Sequence, residues 1–266
     1  MGEAAGPLTR ALRRGKRAIE RRLDSFRRSV EDPSVPLSLD MSARSSTLLI
    51  AFGGIYGGLG VPPFEFFRAT SGIPVKRLYV RDLEQAWYHR GLPGSGGTID
   101  ELAQTLGKLV EDNGVKRLVT AGNSAGGYAA LLFGTLLGAD AALSFAPQTV
   151  IDLDVLAQMD DHRWDERLGQ LAQAGALQER WLDLARALPE IRGGANTRCE
   201  VYFDDSFATD RLHAAHIAPL SGVRLHARSS GAHSVALDLR ASGELGRILD
   251  EALTAGTDDA HAGSCA

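Results

Sequence analysis

The sequence predicts an α/β protein in which helices flank a parallel β-sheet of five or six strands. From residue 47 onward, short apolar runs alternate with stretches whose apolar residues recur at helical spacing. Each apolar run ends near Gly, Asp or Ser, as strands do where they enter a loop. Such alternation is typical of parallel strands joined by crossover helices.

The bulk composition predicts a folded globular domain. The chain has 266 residues, of which 44% are hydrophobic and 23% are charged, so a sizeable core can form. A formal charge of -4 and a pI near 6.0 provide no general attraction to nucleic acid or to an anionic membrane. We therefore expect no nucleic-acid partner.

Cysteine usage and hydropathy predict a cytoplasmic protein. Cys199 and Cys265 are the two cysteines of the chain, which is too few for a disulfide framework. The first 30 residues lack the apolar stretch of a signal peptide, and no run of 18 apolar residues indicates a transmembrane segment.

The two ends of the chain differ from its middle. Residues 8–30 place Arg and Lys between apolar residues at helical spacing, which predicts a basic, helical N-terminal arm over residues 1–42. The arm could be a solvated appendage, a docking helix, or a contact with a membrane surface, a partner or a second copy of the chain. Residues 43–254 are predicted to form the core domain, and residues 255–266 a loose tail.

Strands and helices can be assigned in order along the core domain. A helix after residue 97 begins at a capping box of Thr98 and Glu101 and ends at Asn113-Gly114. Further helices are expected from Ser124 to about Leu137, from Arg211 to Ala218 and from Ser234 to about Leu253. The predicted strands are Thr47–Phe52, Arg77–Val80, Arg117–Ala121, Ala141–Phe145, Glu200–Phe203 and Val223–Ala227.

Some fifty residues with helical spacing and many charges separate the fourth predicted strand from the fifth. They are too many for a plain crossover. We interpret residues 150–196 as a small helical insertion, hereafter the cap, placed where it could roof a substrate pocket.

The segment Gly122-Asn123-Ser124-Ala125-Gly126 lies between a predicted strand and a predicted helix. A G-x-S-x-G sequence in this context places its serine on a sharp turn, where glycines avoid collision with the neighbouring strand and helix. We therefore predict that Ser124 is a nucleophile. The alternative is a glycine-rich turn that binds phosphate or nothing, although no Walker lysine follows it.

A nucleophilic serine needs a histidine as base and a carboxylate that orients the histidine. His233 follows the last predicted strand, where the order Ser, Asp, His places the base. His213 and His216 are expected to pack or to face water, because no third metal ligand is nearby. No metal or other cofactor is predicted.

The carboxylate should follow the strand before His233, and Asp204, Asp205 and Asp210 compete for this role. Asp205 comes directly after the strand. Asp210 could instead be the N-cap of the next helix. The residues alone leave this choice open.

An oxyanion needs two N–H donors. The residue after the nucleophile, Ala125, and Gly54 in the glycine-rich loop after the first core strand are the candidates. The loop could also be a flexible turn without a ligand.

A second loop carries Trp87, Tyr88 and His89 after the strand that ends at Val80. Their rings could contact a sugar or an acyl chain of a substrate. Equally, the loop could be anchored by a buried tryptophan.

Between Thr47 and Leu249, the sequence resembles the α/β-hydrolase superfamily, and within it a group of bacterial hydrolases that often accompany surface-polysaccharide or natural-product genes. The resemblance implies an α/β-hydrolase fold and aligns the acid with Asp210. It depends on Phe52-Gly53-Gly54, Pro62 to Phe67, Arg81-Asp82-Leu83, Ala86 to His89, Gly122 to Gly127, Phe145 to Thr149, Asp210 with His213-Ala214, and His233 with Ser242 to Leu245.

The predicted function is cleavage of an ester, thioester or amide of a small-molecule or glycan substrate through an acyl-enzyme. Acyl transfer to another acceptor, or thioesterase cyclisation, would use the same residues. A lyase and a binding protein without catalytic activity are the remaining alternatives on this fold.

Overall fold

The structure is a computed structural model that describes residues 26, 28–55, 66–191, 196–229, 231, 233 and 235–255. Most of the predicted basic arm, the end of the tail and residues 56–65 lie outside the described residues. The predicted division into arm, core domain and tail therefore stays a prediction.

A seven-stranded sheet forms the centre of the fold, in the order β1-β3-β2-β4-β5-β6-β7. β1 pairs antiparallel with β3, and the other neighbours are parallel. The predicted α/β class and parallel sheet are thus confirmed. The strands are β1 (Leu37–Asp40), β2 (Thr47–Phe52), β3 (Lys76–Val80), β4 (Arg117–Asn123), β5 (Ala141–Phe145), β6 (Arg198–Asp204) and β7 (Val223–Arg228).

The edge strand β1 was not predicted, and it lies within the segment that the sequence assigned to the arm. Its pattern is inverted: the polar residues Ser38 and Asp40 are buried, whereas Leu39 is 45% exposed. The buried Asp40 is paired with Arg77 at 2.8 Å. A sequence pattern that expects apolar residues on the inner face cannot identify such a strand.

Helices cover both faces of the sheet, which is why β2 is buried along its whole length. One core cluster joins α2, α3, α6 and α7 to one face, and another joins α1, α8 and α9 to the opposite face. The helices are α1 (Phe67–Thr70), α2 (Ile99–Asp112), α3 (Ala125–Leu136), α4 (Leu153–Gln158), α5 (Asp165–Gln173), α6 (Leu184–Ile191), α7 (Ala208–Ile217), α8 (Val235–Ala241) and α9 (Glu244–Thr254).

The predicted start of α2 is confirmed in atomic detail. The Thr98 hydroxyl accepts a hydrogen bond from the Glu101 N–H at 3.2 Å, and the Glu101 carboxylate accepts one from the Thr98 hydroxyl at 3.0 Å. The same carboxylate accepts from the Gly97 N–H at 2.7 Å. These bonds occupy groups that a helix N-terminus would otherwise leave without partners.

The prediction of a single helix from Ser234 to about Leu253 was wrong, since the structure has two helices there. Gly243 adopts a φ of 78° between α8 and α9. A residue in the left-handed region ends a helix, and glycine adopts this conformation at little cost.

The segment between β5 and β6 is helical, as predicted for the cap. It contains α4, α5, a short 3-10 helix (Glu179–Trp181) and α6. Among the described helices, none combines the length and apolar character needed to cross a membrane.

Candidate active site

Ser124 lies on the turn between β4 and α3, at the carboxyl edge of the sheet. Its φ of 54° and ψ of −119° are rare for a residue with a side chain. The turn is held by two backbone bonds, from the Ser124 N–H to the Phe145 carbonyl at 2.9 Å and from the Tyr128 N–H to the Ser124 carbonyl at 3.0 Å. A backbone strained in this way persists only where its surroundings enforce it, and such residues cluster at functional sites.

Two glycines allow this turn to form. A Cβ on Gly122 would lie 1.9 Å from the Gly126 carbonyl oxygen, and a Cβ on Gly126 would lie 2.3 Å from the Phe52 carbonyl oxygen. Helix α3 therefore packs against its own preceding strand and against β2 at distances that exclude any larger residue. This is the steric role that the sequence predicted for the glycines that flank Ser124.

Ser124, His233 and Asp210 form one chain of hydrogen bonds. His233 Nε2 lies 3.2 Å from Ser124 Oγ, and His233 Nδ1 lies 2.5 Å from Asp210 Oδ1. If Nδ1 carries the proton and donates it to the carboxylate, Nε2 is free to accept from the serine hydroxyl. The Asp210 side chain is 1% exposed and that of His233 is 27% exposed.

The structure brings Asp210, and not Asp205, to the histidine. Asp205 is exposed and accepts a hydrogen bond from the Ser229 hydroxyl at 2.6 Å. Asp204 accepts from the Ser206 hydroxyl at 2.5 Å. The N-cap alternative for Asp210 was wrong, because α7 begins at Ala208, three residues before its predicted start, and Asp210 lies in the first turn.

The two proposed oxyanion donors lie on either side of the turn. Gly54 is buried and is the second residue after β2, and Ala125 is the first residue of α3. The neighbouring Gly53 N–H is bound to the Val80 carbonyl at 2.8 Å. No acceptor for the Gly54 or Ala125 N–H is found among the residues that the structure describes. Both groups remain candidates for binding an oxyanion.

Trp87, Tyr88 and His89 do not form an exposed substrate surface. They are 0%, 1% and 1% exposed, respectively. Trp87 Nε1 donates to Gln148 Oε1 at 2.7 Å, and the Tyr88 hydroxyl donates to the Gly53 carbonyl at 2.8 Å. These polar atoms bind the protein itself, so the structure favours the alternative in which a buried tryptophan anchors the loop. The expectation that the three rings contact a substrate is corrected accordingly.

His89 is also a structural residue. Its Nδ1 accepts from the Gln178 N–H at 2.9 Å, and its Nε2 lies 3.2 Å from the Tyr128 hydroxyl. Burial lowers the pKa of His89 to about 3. His89 is therefore neutral, and it ties the loop to the cap.

Gln148 and Thr149 are site residues that the sequence analysis did not assign a role. The Gln148 N–H points to the Ser124 carbonyl at 3.4 Å, and the Thr149 N–H donates to His213 Nδ1 at 3.1 Å. In the sequence, these two residues were indicated only by the run Phe145 to Thr149. That run contributed to the resemblance to α/β-hydrolases, but it contains no nucleophile, base or acid that would predict a role.

His213 and His216 pack against the cap and do not lie near a third metal ligand. His213 Nε2 lies 3.0 Å from Asp161, and His216 Nε2 lies 2.7 Å from Asp183. Within the described part of the chain, no group of three or more His, Cys, Asp or Glu side chains could hold a metal ion.

Comparison with solved structures identifies the fold. The capsule O-acetyltransferase of Neisseria meningitidis serogroup A superposes with a TM-score of 0.59 at 10% identity, over 81% of this chain and 90% of that one. An α/β-hydrolase enzyme from a lagoon-sediment metagenome (Mar Chica, Morocco) gives 0.52 at 18% identity, over 81% and 93%. Carboxyl esterase 2 of Tuber melanosporum gives 0.53 at 14% identity, over 82% of each chain.

The chain therefore has the α/β-hydrolase fold, and its structural neighbours include enzymes that cleave or transfer acyl groups. No protein-family model and no curated protein matches the sequence.

Proposed function

We propose that the protein is a serine hydrolase that cleaves an ester, thioester or amide of a small-molecule or glycan substrate. One observation carries the proposal: Ser124, His233 and Asp210 are joined by hydrogen bonds of 3.2 and 2.5 Å at the carboxyl edge of the sheet. A nucleophile, a base and a group that orients the base are the parts that acyl transfer to serine needs.

In the proposed mechanism, Ser124 Oγ attacks the carbonyl carbon of the substrate while His233 Nε2 takes the hydroxyl proton. The buried Asp210 carboxylate stabilises the resulting imidazolium. The N–H groups of Gly54 and Ala125 bind the negative oxygen of the tetrahedral intermediate. When the intermediate collapses, the leaving group takes the proton from His233 and an ester remains on Ser124. Water then attacks this ester while His233 Nε2 takes its proton. As the second intermediate collapses, His233 returns that proton to Ser124 Oγ and the acid is released.

Acyl transfer is the second candidate, in which an alcohol replaces water in the last step. The similarity in fold to a capsule O-acetyltransferase supports it. Product analysis with a nitrophenyl ester, with and without added alcohols, separates the two reactions by the ratio of new ester to free acid.

A fluorophosphonate probe tests the shared part of both candidates. We expect the wild type to become labelled and Ser124→Ala to remain unlabelled. Equal labelling of the two proteins, or no labelling of either, would show that Ser124 is not an activated nucleophile. Circular dichroism of Ser124→Ala provides the control that the variant is folded.

A further inference from the structure

A second histidine–aspartate pair lies next to the site, on the helix that carries Asp210. His213 is three residues after Asp210 on α7, so both side chains lie on neighbouring positions of one helix face. The side chains of His213 and of its partner Asp161 are both 2% exposed. The proposed reaction does not use this pair.

Both ring nitrogens of His213 have partners. Nδ1 accepts from the Thr149 N–H at 3.1 Å, so the ring proton is on Nε2 and is donated to Asp161 Oδ2 at 3.0 Å. The Thr149 hydroxyl donates to the His213 carbonyl at 2.8 Å. Three hydrogen bonds therefore hold the middle of α7: two connect it to Thr149 and one connects it to Asp161.

The partners of His213 come from two different parts of the site. Thr149 follows Gln148, whose N–H faces the Ser124 carbonyl at 3.4 Å. Asp161 belongs to the cap, where Arg163 holds its carboxylate through bonds of 2.8 and 2.7 Å. His213 thus joins the helix that bears Asp210 to the segment beside the nucleophile and to the cap.

The charges around His213 and Asp161 favour the same hydrogen-bond directions. Burial lowers the pKa of His213, as does the nearby Arg163, although the hydrogen bond to Asp161 raises it. Burial raises the pKa of Asp161, but hydrogen bonds from Arg163 and His213 outweigh it and hold that pKa well below its ordinary value. A neutral imidazole that accepts at Nδ1 and donates at Nε2 is the form that these neighbours favour.

We propose that His213 is a positioning residue: it holds α7 against the Gln148-Thr149 segment, and so keeps the Asp210 carboxylate in line with His233 and Ser124. This inference rests on the proposed function. It assigns to the contact of His213 with Thr149 an effect on the rate of Ser124 acylation and not only an effect on stability, because small displacements of a group that orients the base slow the reaction.

Two amide substitutions separate the two contacts of the ring. Asn places its amide near the position of Nδ1, so in His213→Asn its oxygen can still accept from the Thr149 N–H. Gln places its amide near the position of Nε2, so His213→Gln keeps the contact with Asp161 and loses the acceptor for Thr149. His216→Gln is the matched control, since His216 lies on the same helix and binds Asp183 of the cap at 2.7 Å.

The experiment measures the rate of fluorophosphonate labelling and the kcat and KM for a nitrophenyl ester. We expect His213→Gln to label and turn over about ten- to a hundredfold more slowly with KM nearly unchanged. His213→Asn should retain most of the rate, and His216→Gln should stay within about twofold of the wild type, because the Asp210 carboxylate keeps its position in both.

Equal rates for His213→Gln and His216→Gln, or a slower His213→Asn than His213→Gln, would overturn the positioning role. If His213→Gln does not fold, Thr149→Val tests the same contact by removing the hydroxyl bond to the His213 carbonyl, and labelling within twofold of the wild type overturns the inference. Labelling of Ser124→Ala at the wild-type rate would instead refute the proposed function, so the two failures are distinguishable.

Discussion

His233 Nε2 lies 3.2 Å from Ser124 Oγ, although 109 residues separate the two positions along the chain. The distance is short because both residues follow parallel strands. β4 leads into Ser124, β7 leads toward His233, and β5 and β6 lie between these strands in the sheet. The carboxyl ends of parallel strands meet at one edge, where open α/β sheets bind their ligands.

The choice between two aspartates can be tested by a matched pair of variants. Asp210→Asn keeps the shape of the side chain but removes the charge that holds the His233 tautomer, so we expect kcat for a nitrophenyl ester to fall by about 10⁴-fold. Asp205→Asn should change kcat by less than about twofold, since Asp205 is exposed and bound to Ser229. Full activity of Asp210→Asn together with an inactive Asp205→Asn would exchange the two roles.

Gly126 is expected to tolerate no side chain. In Gly126→Ala, the new Cβ would overlap the Phe52 carbonyl oxygen at 2.3 Å, so the free energy of unfolding should fall by about 3 kcal/mol and labelling of Ser124 should be lost.

Gly169→Ala is the control, because a Cβ at this helical position of α5 meets nothing within 4 Å. It should stabilise the protein by about 0.5–1 kcal/mol. Urea unfolding measures both effects, and a Gly126→Ala variant as stable as the wild type would contradict the close packing of α3 on β2.

The buried His89 should make the fold sensitive to mild acid. Its pKa is about 3 in the folded protein against an ordinary value of 6.5, so between these values the unfolded chain binds more protons. The free energy of unfolding should therefore fall as the pH falls below 6.5, by about 1.4 kcal/mol for each pH unit from this residue.

His89→Asn keeps an acceptor for the Gln178 N–H and does not titrate, so its stability should decline less between pH 6.5 and pH 5 than that of the wild type. His162→Asn is the control. His162 is 58% exposed, and hydrogen bonding to Asp165 raises its pKa, so its loss should not lessen the decline in acid. Identical slopes for His89→Asn and the wild type, measured by urea unfolding, would contradict a neutral buried His89.

The Tyr128 hydroxyl should contribute to the anchoring of the cap. It donates to the Trp181 carbonyl at 2.6 Å and lies 3.2 Å from His89 Nε2. Tyr128→Phe leaves two buried groups without a partner, which should cost about 1–3 kcal/mol. Tyr202→Phe is the control, since no hydrogen bond of the Tyr202 hydroxyl is found in the described residues, and it should cost less than about 0.5 kcal/mol. Equal thermal stability of the two variants would contradict the anchoring role.

Much of the fold could be predicted because the information was local. Six strands and the capped helix α2 follow from apolar runs, a capping box and glycine stops. The prediction of strands and helices failed where contacts between distant segments override the local sequence pattern. β1 turns Ser38 and Asp40 inward because Arg77 of the neighbouring strand pairs with Asp40. The break at Gly243 depends on a backbone conformation that a single glycine permits but does not require.

The sequence by itself determined the order of strand, turn and helix around Ser124, and the position of His233 after the last strand, because both depend on chain order and residue type. For the acid, the residues alone left Asp205 and Asp210 open, the resemblance favoured Asp210, and the tertiary structure places Asp210 against His233. Only the tertiary structure decided that Trp87, Tyr88 and His89 are buried. It also brought His213 between Asp161 and Thr149. These are contacts between distant segments, and their partners are selected by packing and burial, which no local pattern records.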